Sequence, residues 1–199
     1  MVDTIYVDAH AHLDRYGMEI TQVLTDLQQK KIVTLAVSMD PESYIKTLHL
    51  SNSNSWIIPA FGIHPWEAYK HVRNLDMIRW HMSKSPFFGE IGLDFYFVKD
   101  RTHYPVQVEM FKLFLAEATQ QGKLVNIHTK GAERETCDLL RAFKTEQVIV
   151  HWYSGAQTHL KKLIKFGCYF SILKSPLFNN KDLWVRGLEM LHRYPVVFW

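Results

Sequence analysis

The sequence has few cysteines and no long apolar run. Cys137 and Cys168 are isolated and form no Cys-x-x-Cys pair. Two free thiols are typical of a reducing compartment, so the sequence predicts a cytoplasmic location. No apolar run approaches the ~18–20 residues of a membrane helix, and no charged-then-apolar leader precedes the first apolar segment. We therefore expect no membrane association and no secretory signal.

The chain also lacks a strong charge bias, internal repeats and linker-like segments. Its net charge is +3 with neutral histidines, which is a weak bias toward anionic partners. The hydrophobic share is 47% and the charged share is 22%, both close to the values of globular proteins. The composition therefore predicts a single domain over residues 1–199.

Eight short apolar segments are predicted to be strands. They cover residues 5–9, 32–38, 56–63, 87–92, 124–128, 147–151, 168–173 and 196–199. A helical pattern follows each of the first seven, and alternating strands and helices predict an α/β fold, a (β/α)8 TIM barrel. A doubly wound open sheet is the alternative, but that fold usually has a glycine-rich first turn. The first turn here is rich in histidine instead.

Residue types that bind metals recur at the ends of these strands. His10 and His12 are spaced i, i+2, which places them on one face of an extended strand. Later strands deliver further candidates, namely His64, Glu90, His128 and His151. The carboxyl ends of barrel strands converge at one face, and imidazole with carboxylate is a suitable ligand set for divalent metals. Glu90 would be costly to bury without such a partner.

Several motifs together resemble the TatD-like metal-dependent hydrolases, deoxyribonuclease-type members of the amidohydrolase superfamily. The motifs are Asp8-Ala-His-Ala-His-Leu13, Phe61-Gly-Ile-His-Pro65, Gly89-Glu-Ile-Gly-Leu-Asp94, Ile127-His-Thr-Lys130 and His151-Trp-Tyr-Ser-Gly155. They occur in the family's order over the whole chain. The resemblance implies a metal-dependent barrel enzyme that cleaves phosphodiester bonds of DNA, with single-stranded DNA as the expected substrate.

The resemblance also implies a ligand set for two divalent ions, which could be Mg, Mn or Zn. His10 and His12 would bind the first ion, and His128 and His151 would bind the second. Glu90 would bridge the two ions. Such a pair stabilises the attacking and leaving oxygens of a phosphodiester.

Three further residues are implied around the metals. His64 would contact the scissile phosphate or support a ligand, and we expect it to be catalytic together with Glu90. Asp94 would orient a ligand histidine or the loop that follows, and we expect it to be one of the substrate-binding residues. Lys130 stands where the family has arginine, so it keeps a charge for substrate but lacks the bidentate fork. The loop Phe95-Tyr-Phe97 could stack bases or pack on the barrel.

The resemblance implies one more aspartate and a closing helix after the eighth strand, whereas the sequence ends at Trp199. We therefore expect a barrel without its last helix, with an apolar side open to a protein partner or to self-association. Two alternative functions remain open at this point. One is a catalytically impaired TatD-like subunit that acts in binding or assembly. The other is an amide or ester hydrolase of the amidohydrolase type.

Overall fold

Eight parallel strands form one sheet in sequence order in the computed structural model, which describes residues 5–172 and 196–198. The strands are β1 Tyr6–Ala11, β2 Ile32–Val37, β3 Ile57–Phe61, β4 Phe87–Asp94, β5 Val125–Lys130, β6 Val148–His151, β7 Tyr169–Ile172 and β8 Val196–Phe198. The helices are α1 Ile20–Lys30, α2 Pro41–Ser53, α3 Ala68–His71, α4 Leu75–Lys84, α5 Tyr104–Gln121, α6 Glu133–Phe143 and α7 Gln157–Lys165.

The sheet closes on itself as a barrel. Cα atoms of β8 approach within 8 Å of those of β1, and every pair of consecutive strands is parallel. All eight residues of β4 are buried, because helices cover a parallel sheet from outside while side chains fill its interior. The predicted (β/α)8 barrel is confirmed, and the doubly wound alternative is wrong.

Helices cover the barrel through the apolar stripes visible in the sequence. In α1, Leu27 is buried, and Val23 and Leu24 pack beside it against Ala36 of β2. The start of α2 is fixed by Asp40, whose Oδ1 accepts a hydrogen bond of 2.7 Å from the backbone N–H of Ser43. No helix of the described residues is long and apolar enough to cross a membrane.

Element boundaries differ from the predicted ones in ways that affect the site. β1 continues to Ala11 and β4 to Asp94, whereas β3 already ends at Phe61. Two helices, α3 and α4, follow β3 in place of one helical segment. The helix predicted after the seventh strand lies outside the described residues.

Two glycines allow β3, β4 and β5 to approach closely around Glu90. A Cβ added at Gly62 would lie 2.4 Å from the carbonyl carbon of Gly89 and 2.5 Å from the backbone nitrogen of Glu90. A Cβ added at Gly92, where φ is +134°, would lie 2.1 Å from the carbonyl oxygen of His128. Side chains at these positions would displace the backbone that carries Glu90 and His128, so glycine is required at both.

Candidate metal centre

Imidazole and carboxylate side chains converge at the carboxyl ends of the barrel strands. The residues come from β1, β4, β5 and β6 and from the loops directly after β1 and β3. They line a cavity of 600 Å³, and the set comprises His10, His12, His64, Glu90, His128 and His151. The predicted convergence of these six residues at one face of the barrel is therefore present.

Glu90 lies at the centre of this set, with only 3% of its surface exposed. Its Oε2 is 3.2 Å from Nε2 of His12 and 3.5 Å from Nε2 of His10. Its Oε1 is 2.9 Å from Nδ1 of His128 and 3.5 Å from Nε2 of His64. Burial disfavours the carboxylate, but the surrounding histidines outweigh that effect and hold the pKa of Glu90 well below its ordinary value. Each carboxylate oxygen therefore faces two imidazoles while charged.

His10 and His151 form a stacked pair on one side of Glu90, with ring centroids 3.4 Å apart. Burial lowers the pKa of His10 to about 4 and that of His151 to about 3, so both rings are neutral at pH 7. Nδ1 of His10 lies 3.0 Å from Oδ1 of Asn126, and Nδ1 of His151 lies 3.1 Å from Oγ of Ser171. These contacts hold Nδ1 of each ring, and Nε2 of His10 lies 3.3 Å from Nε2 of His12 on the side of Glu90.

Asp94 fixes the ring of His128 on the other side of Glu90. Its Oδ2 lies 3.0 Å from Nε2 of His128 and accepts a hydrogen bond of 2.7 Å from Nε1 of Trp66. Its Oδ1 accepts hydrogen bonds from the backbone N–H groups of Tyr96 and Phe97. Burial alone would raise the pKa of Asp94, but these hydrogen bonds lower it to about 2.

His128 is held between two carboxylates and differs from the other histidines for that reason. Burial alone would lower its pKa, but the hydrogen bonds to Asp94 and Glu90 raise it to about 9. Burial lowers the pKa of neighbouring His64. A metal that binds Nδ1 of His128 would therefore displace a proton, while Nε2 would stay on Asp94.

Two groups of ligand atoms in the described residues are close enough to hold an ion each. One group is His10, Glu90 and His151, and the other is His64, Glu90 and His128; the ligand atoms of each group lie within 4.8 Å of one another. The resemblance paired the histidines differently, with His12 beside His10 and with His151 beside His128. Glu90 is common to both divisions, so its central place does not depend on which one holds.

The chemistry of the site fits a divalent metal. Imidazole nitrogens and one carboxylate form a ligand set that Zn, Mn and Mg accept. Burial lowers the pKa of His10, His64 and His151, which favours the neutral ring that a metal binds. The residues of the two groups therefore fit a metal centre in donor type and in spacing.

The remaining predicted site residues lie in different places. His64 is 2% exposed and lies beside Glu90 in one of the two potential ligand groups, whereas the resemblance implied a contact with phosphate or support of a ligand. Asp94 supports His128 and the loop after β4, rather than facing the cavity. Lys130 does not line the cavity; its Nζ donates to Oγ of Ser154 and lies 4.7 Å from the ring centroid of Trp152, which does line it. In the predicted stacking loop, Phe95 packs on Tyr104.

Sequence reasoning missed the polar residues that support the histidines. Asn126 donates to the carbonyl oxygen of Ala9 and contacts His10, and Trp66 holds Asp94. A signal for Asn126 was present, since an amide two residues before His128 in an apolar strand shares its face. Trp66 had no such signal, because its partner Asp94 is 28 residues away.

Comparison with known proteins agrees with this geometry. A profile of the family described as TatD related DNase matches residues 7–192. The chain belongs to this family. Human deoxyribonuclease TATDN3 is 26% identical in an alignment that covers 83% of this chain and 67% of that protein.

Two further TatD-related proteins extend the comparison. An uncharacterized metal-dependent hydrolase of Methanocaldococcus jannaschii is 25% identical, with 86% of this chain and 69% of that protein covered. The crystal structure of YJJV, a TATD homolog from Escherichia coli K12, matches with a TM-score of 0.73 and 20% identity, covering 83% of this chain and 67% of that one. The chain thus shares the TatD barrel and belongs to a family of metal-dependent hydrolases.

Proposed function

We propose that this TatD-related chain hydrolyses phosphodiester bonds of DNA at a two-metal site bridged by Glu90. One observation carries the proposal: a single buried carboxylate belongs to both potential ligand groups of the barrel cavity. The family match and the human deoxyribonuclease among the relatives support DNA as the substrate. When bound, two divalent ions supply a nucleophile at neutral pH and stabilise charge on the attacked phosphate.

The chain's own residues would hold these ions in a fixed arrangement. His10, His12, His128 and His151 are the proposed histidine ligands, and His64 is a further candidate because of its contact with Glu90. Asn126 holds Nδ1 of His10, and Asp94 holds Nε2 of His128. Such partners fix the orientation of a ligating ring, and losing them typically costs 10–100-fold in metal affinity or activity.

Aromatic side chains around the cavity favour single-stranded nucleic acid as the substrate. Trp66 and Trp152 line the cavity and are 42% and 37% exposed. Tyr96 and Phe97, on the loop after β4, are 60% and 52% exposed. Unstacked bases bind to exposed aromatic rings, at about 1–3 kcal/mol per base. A duplex keeps its bases stacked on one another and would not use these rings.

The test is cleavage of labelled single-stranded DNA by the metal-free protein after addition of Mg²⁺, Mn²⁺ or Zn²⁺. We expect metal-dependent cleavage by the wild type and a loss of at least about 10³-fold in Glu90→Gln, since the bridging charge disappears. Glu109→Gln, a matched change at an exposed glutamate of α5, should keep wild-type activity. Duplex DNA, RNA, and nitrophenyl esters and anilides serve as competing substrates.

The competing outcomes separate the alternatives. Faster turnover of an ester or anilide than of DNA would replace the proposal with an amide or ester hydrolase. Stoichiometric metal binding without cleavage of any of these substrates would favour a TatD-related subunit that acts in binding or assembly. Cleavage that is equal in the wild type and in Glu90→Gln would refute the Glu90-centred site.

A further inference from the structure

Arg15 places a positive charge on the wall of the metal-site cavity. It belongs neither to the sequence motifs described above nor to the set of potential metal ligands. It ends the short 3₁₀ turn Leu13–Arg15, which begins directly after His12. The backbone N–H of Arg15 donates to the carbonyl oxygen of His12 over 3.1 Å, and Leu13 anchors the turn with 2% of its surface exposed. The guanidinium is therefore attached to the same rigid turn as a proposed metal ligand.

The guanidinium of Arg15 has no carboxylate partner in the described part of the chain. Its Nη2 contacts Sδ of Met39, which is a weak acceptor and carries no charge. Among the described residues that line the cavity, Arg15 and Glu90 are the charged ones apart from the histidines. Because the five histidines of the site would hold metal together with Glu90, Arg15 remains as a cation that can meet an incoming anion.

Lys130, the cation expected to meet substrate, is engaged elsewhere. Its Nζ donates to Ser154 and lies over the ring of Trp152, and Lys130 is not among the residues that line the cavity. The position that the family motif assigns to a phosphate-binding arginine therefore supplies no guanidinium here, whereas the turn after β1 does.

We propose that Arg15 binds a phosphate of the nucleic-acid strand at the mouth of the metal site and so positions the strand for cleavage. The inference rests on the proposed function for its substrate class. A guanidinium presents two parallel N–H groups that match two phosphate oxygens, which an ammonium cannot reproduce. Arg15 would thus provide the bidentate phosphate contact that Lys130 cannot form.

The experiment measures binding rather than turnover. Fluorescence anisotropy of a labelled short oligothymidine is recorded in EDTA over a series of KCl concentrations, for the wild type, Arg15→Gln and Arg15→Lys. Arg141→Gln is the matched control, because Arg141 is an exposed arginine in the last turn of α6 and, among the described residues, forms an ion pair with Asp138. The slope of log K against log[KCl] counts the phosphates that protein charges neutralise, at about 0.7 per phosphate for single strands.

We expect Arg15→Gln to weaken binding about tenfold and to reduce the slope by about 0.7, since one charge-assisted contact is lost. Arg15→Lys should keep the slope but recover only part of the affinity. Arg141→Gln should match the wild type in both. Wild-type slope and affinity in Arg15→Gln would overturn the inference, as would a wild type that binds no oligothymidine.

Failure of the inference and failure of the proposed function give different results. A wild type that binds oligothymidine through Arg15 but cleaves nothing with any metal contradicts the proposed function and leaves the phosphate contact intact. A wild type that cleaves DNA with a KM unchanged in Arg15→Gln contradicts the phosphate contact alone. If the phosphate contact and the proposed function are both correct, Arg15→Gln raises KM more than it lowers kcat. The variant then loses substrate binding, while the metal site that performs the cleavage is unchanged.

Discussion

Glu90 determines whether the histidines around it act as one centre or as separate groups. A buried carboxylate without partners is costly, and four imidazoles surround this one. We predict that Glu90→Ala loses both bound ions together, whereas His128→Ala mainly loses one. The measurement is metal content by mass spectrometry after dialysis against Mn²⁺. Equal metal content in the wild type and Glu90→Ala would contradict the bridge.

His64 distinguishes the two divisions of the ligands. If His64, Glu90 and His128 hold one ion, as their distances suggest, His64→Ala lowers the metal content by one ion. If His151 shares that ion instead, His64→Ala keeps the full content. His81→Ala is the matched control, since His81 is another buried histidine but packs on Tyr44 and Phe61 away from the cavity.

Asp94 is a second buried carboxylate beside the candidate site, and its contacts hold the His128 ring and the loop after β4. It accepts hydrogen bonds from His128, Trp66 and two backbone N–H groups, and none of its surface is exposed. In Asp94→Asn, the new amide NH₂ would face at least one donor, which leaves a buried group unsatisfied. We expect a loss of about 3 kcal/mol in the free energy of unfolding, measured in urea.

The control for that loss is Asp138→Asn. Asp138 is exposed on α6 and pairs with Arg141, so its neutralisation should cost less than about 1 kcal/mol. A similar cost for the two substitutions would show that the donors around Asp94 find other partners. In that case Asp94 would not be the residue that orders the loop after β4.

At the scale of elements, the approach of β3 to β4 depends on Gly62. Its added Cβ would collide with backbone atoms of Gly89 and Glu90, which cannot move as a flexible side chain can. We predict that Gly62→Ala costs at least about 3 kcal/mol of stability and weakens metal binding, because overpacking displaces the backbone. Gly122→Ala is the comparison, since Gly122 has φ +62° but nothing within 4 Å, and should cost only about 1–2 kcal/mol. Urea unfolding of both variants is the measurement.

The order and type of the strands could be predicted from sequence because apolar runs and helical stripes are local patterns. The end of β4 could not, since Asp94 continues the strand only by pairing with Lys130 of β5. Likewise, the side-chain contact between Asn126 and His10 joins residues 116 positions apart. Local patterns therefore located the candidate ligands, whereas their division into two groups depends on distances that only the folded barrel determines.

At the scale of the whole molecule, the candidate metal site joins strands that are far apart in the sequence. His10 belongs to the first strand and His151 to the sixth, yet their rings stack in the cavity. An ion bound between them has no site in the unfolded chain. Metal binding should therefore stabilise the entire barrel, by about 2.7 kcal/mol at a free concentration one hundred times Kd.

Cys137 and Cys168 can report this stabilisation from outside the site, since they are only 2% and 5% exposed. Burial, with a smaller effect of Cys137, raises the pKa of the Cys168 thiol to about 12, so this thiol stays protonated in the fold at pH 8. In the opened chain its pKa returns to about 8.5, and a reactive thiolate forms. The folded state therefore favours the protonated thiol, and this contribution to stability declines as pH rises above about 8.5.

We predict that both thiols react with a disulfide reagent at pH 8 only through opening of the barrel, and that Mn²⁺ at one hundred times Kd slows the reaction about a hundredfold. Mn²⁺ is preferred to Zn²⁺ because thiolates bind zinc directly. In Glu90→Ala, Mn²⁺ should leave the rate unchanged, which separates stabilisation through the site from any effect of the ion on the reagent. The prediction would be wrong if the wild type bound Mn²⁺ while its thiols reacted at the metal-free rate. That result would mean that local motion exposes these cysteines without opening of the barrel.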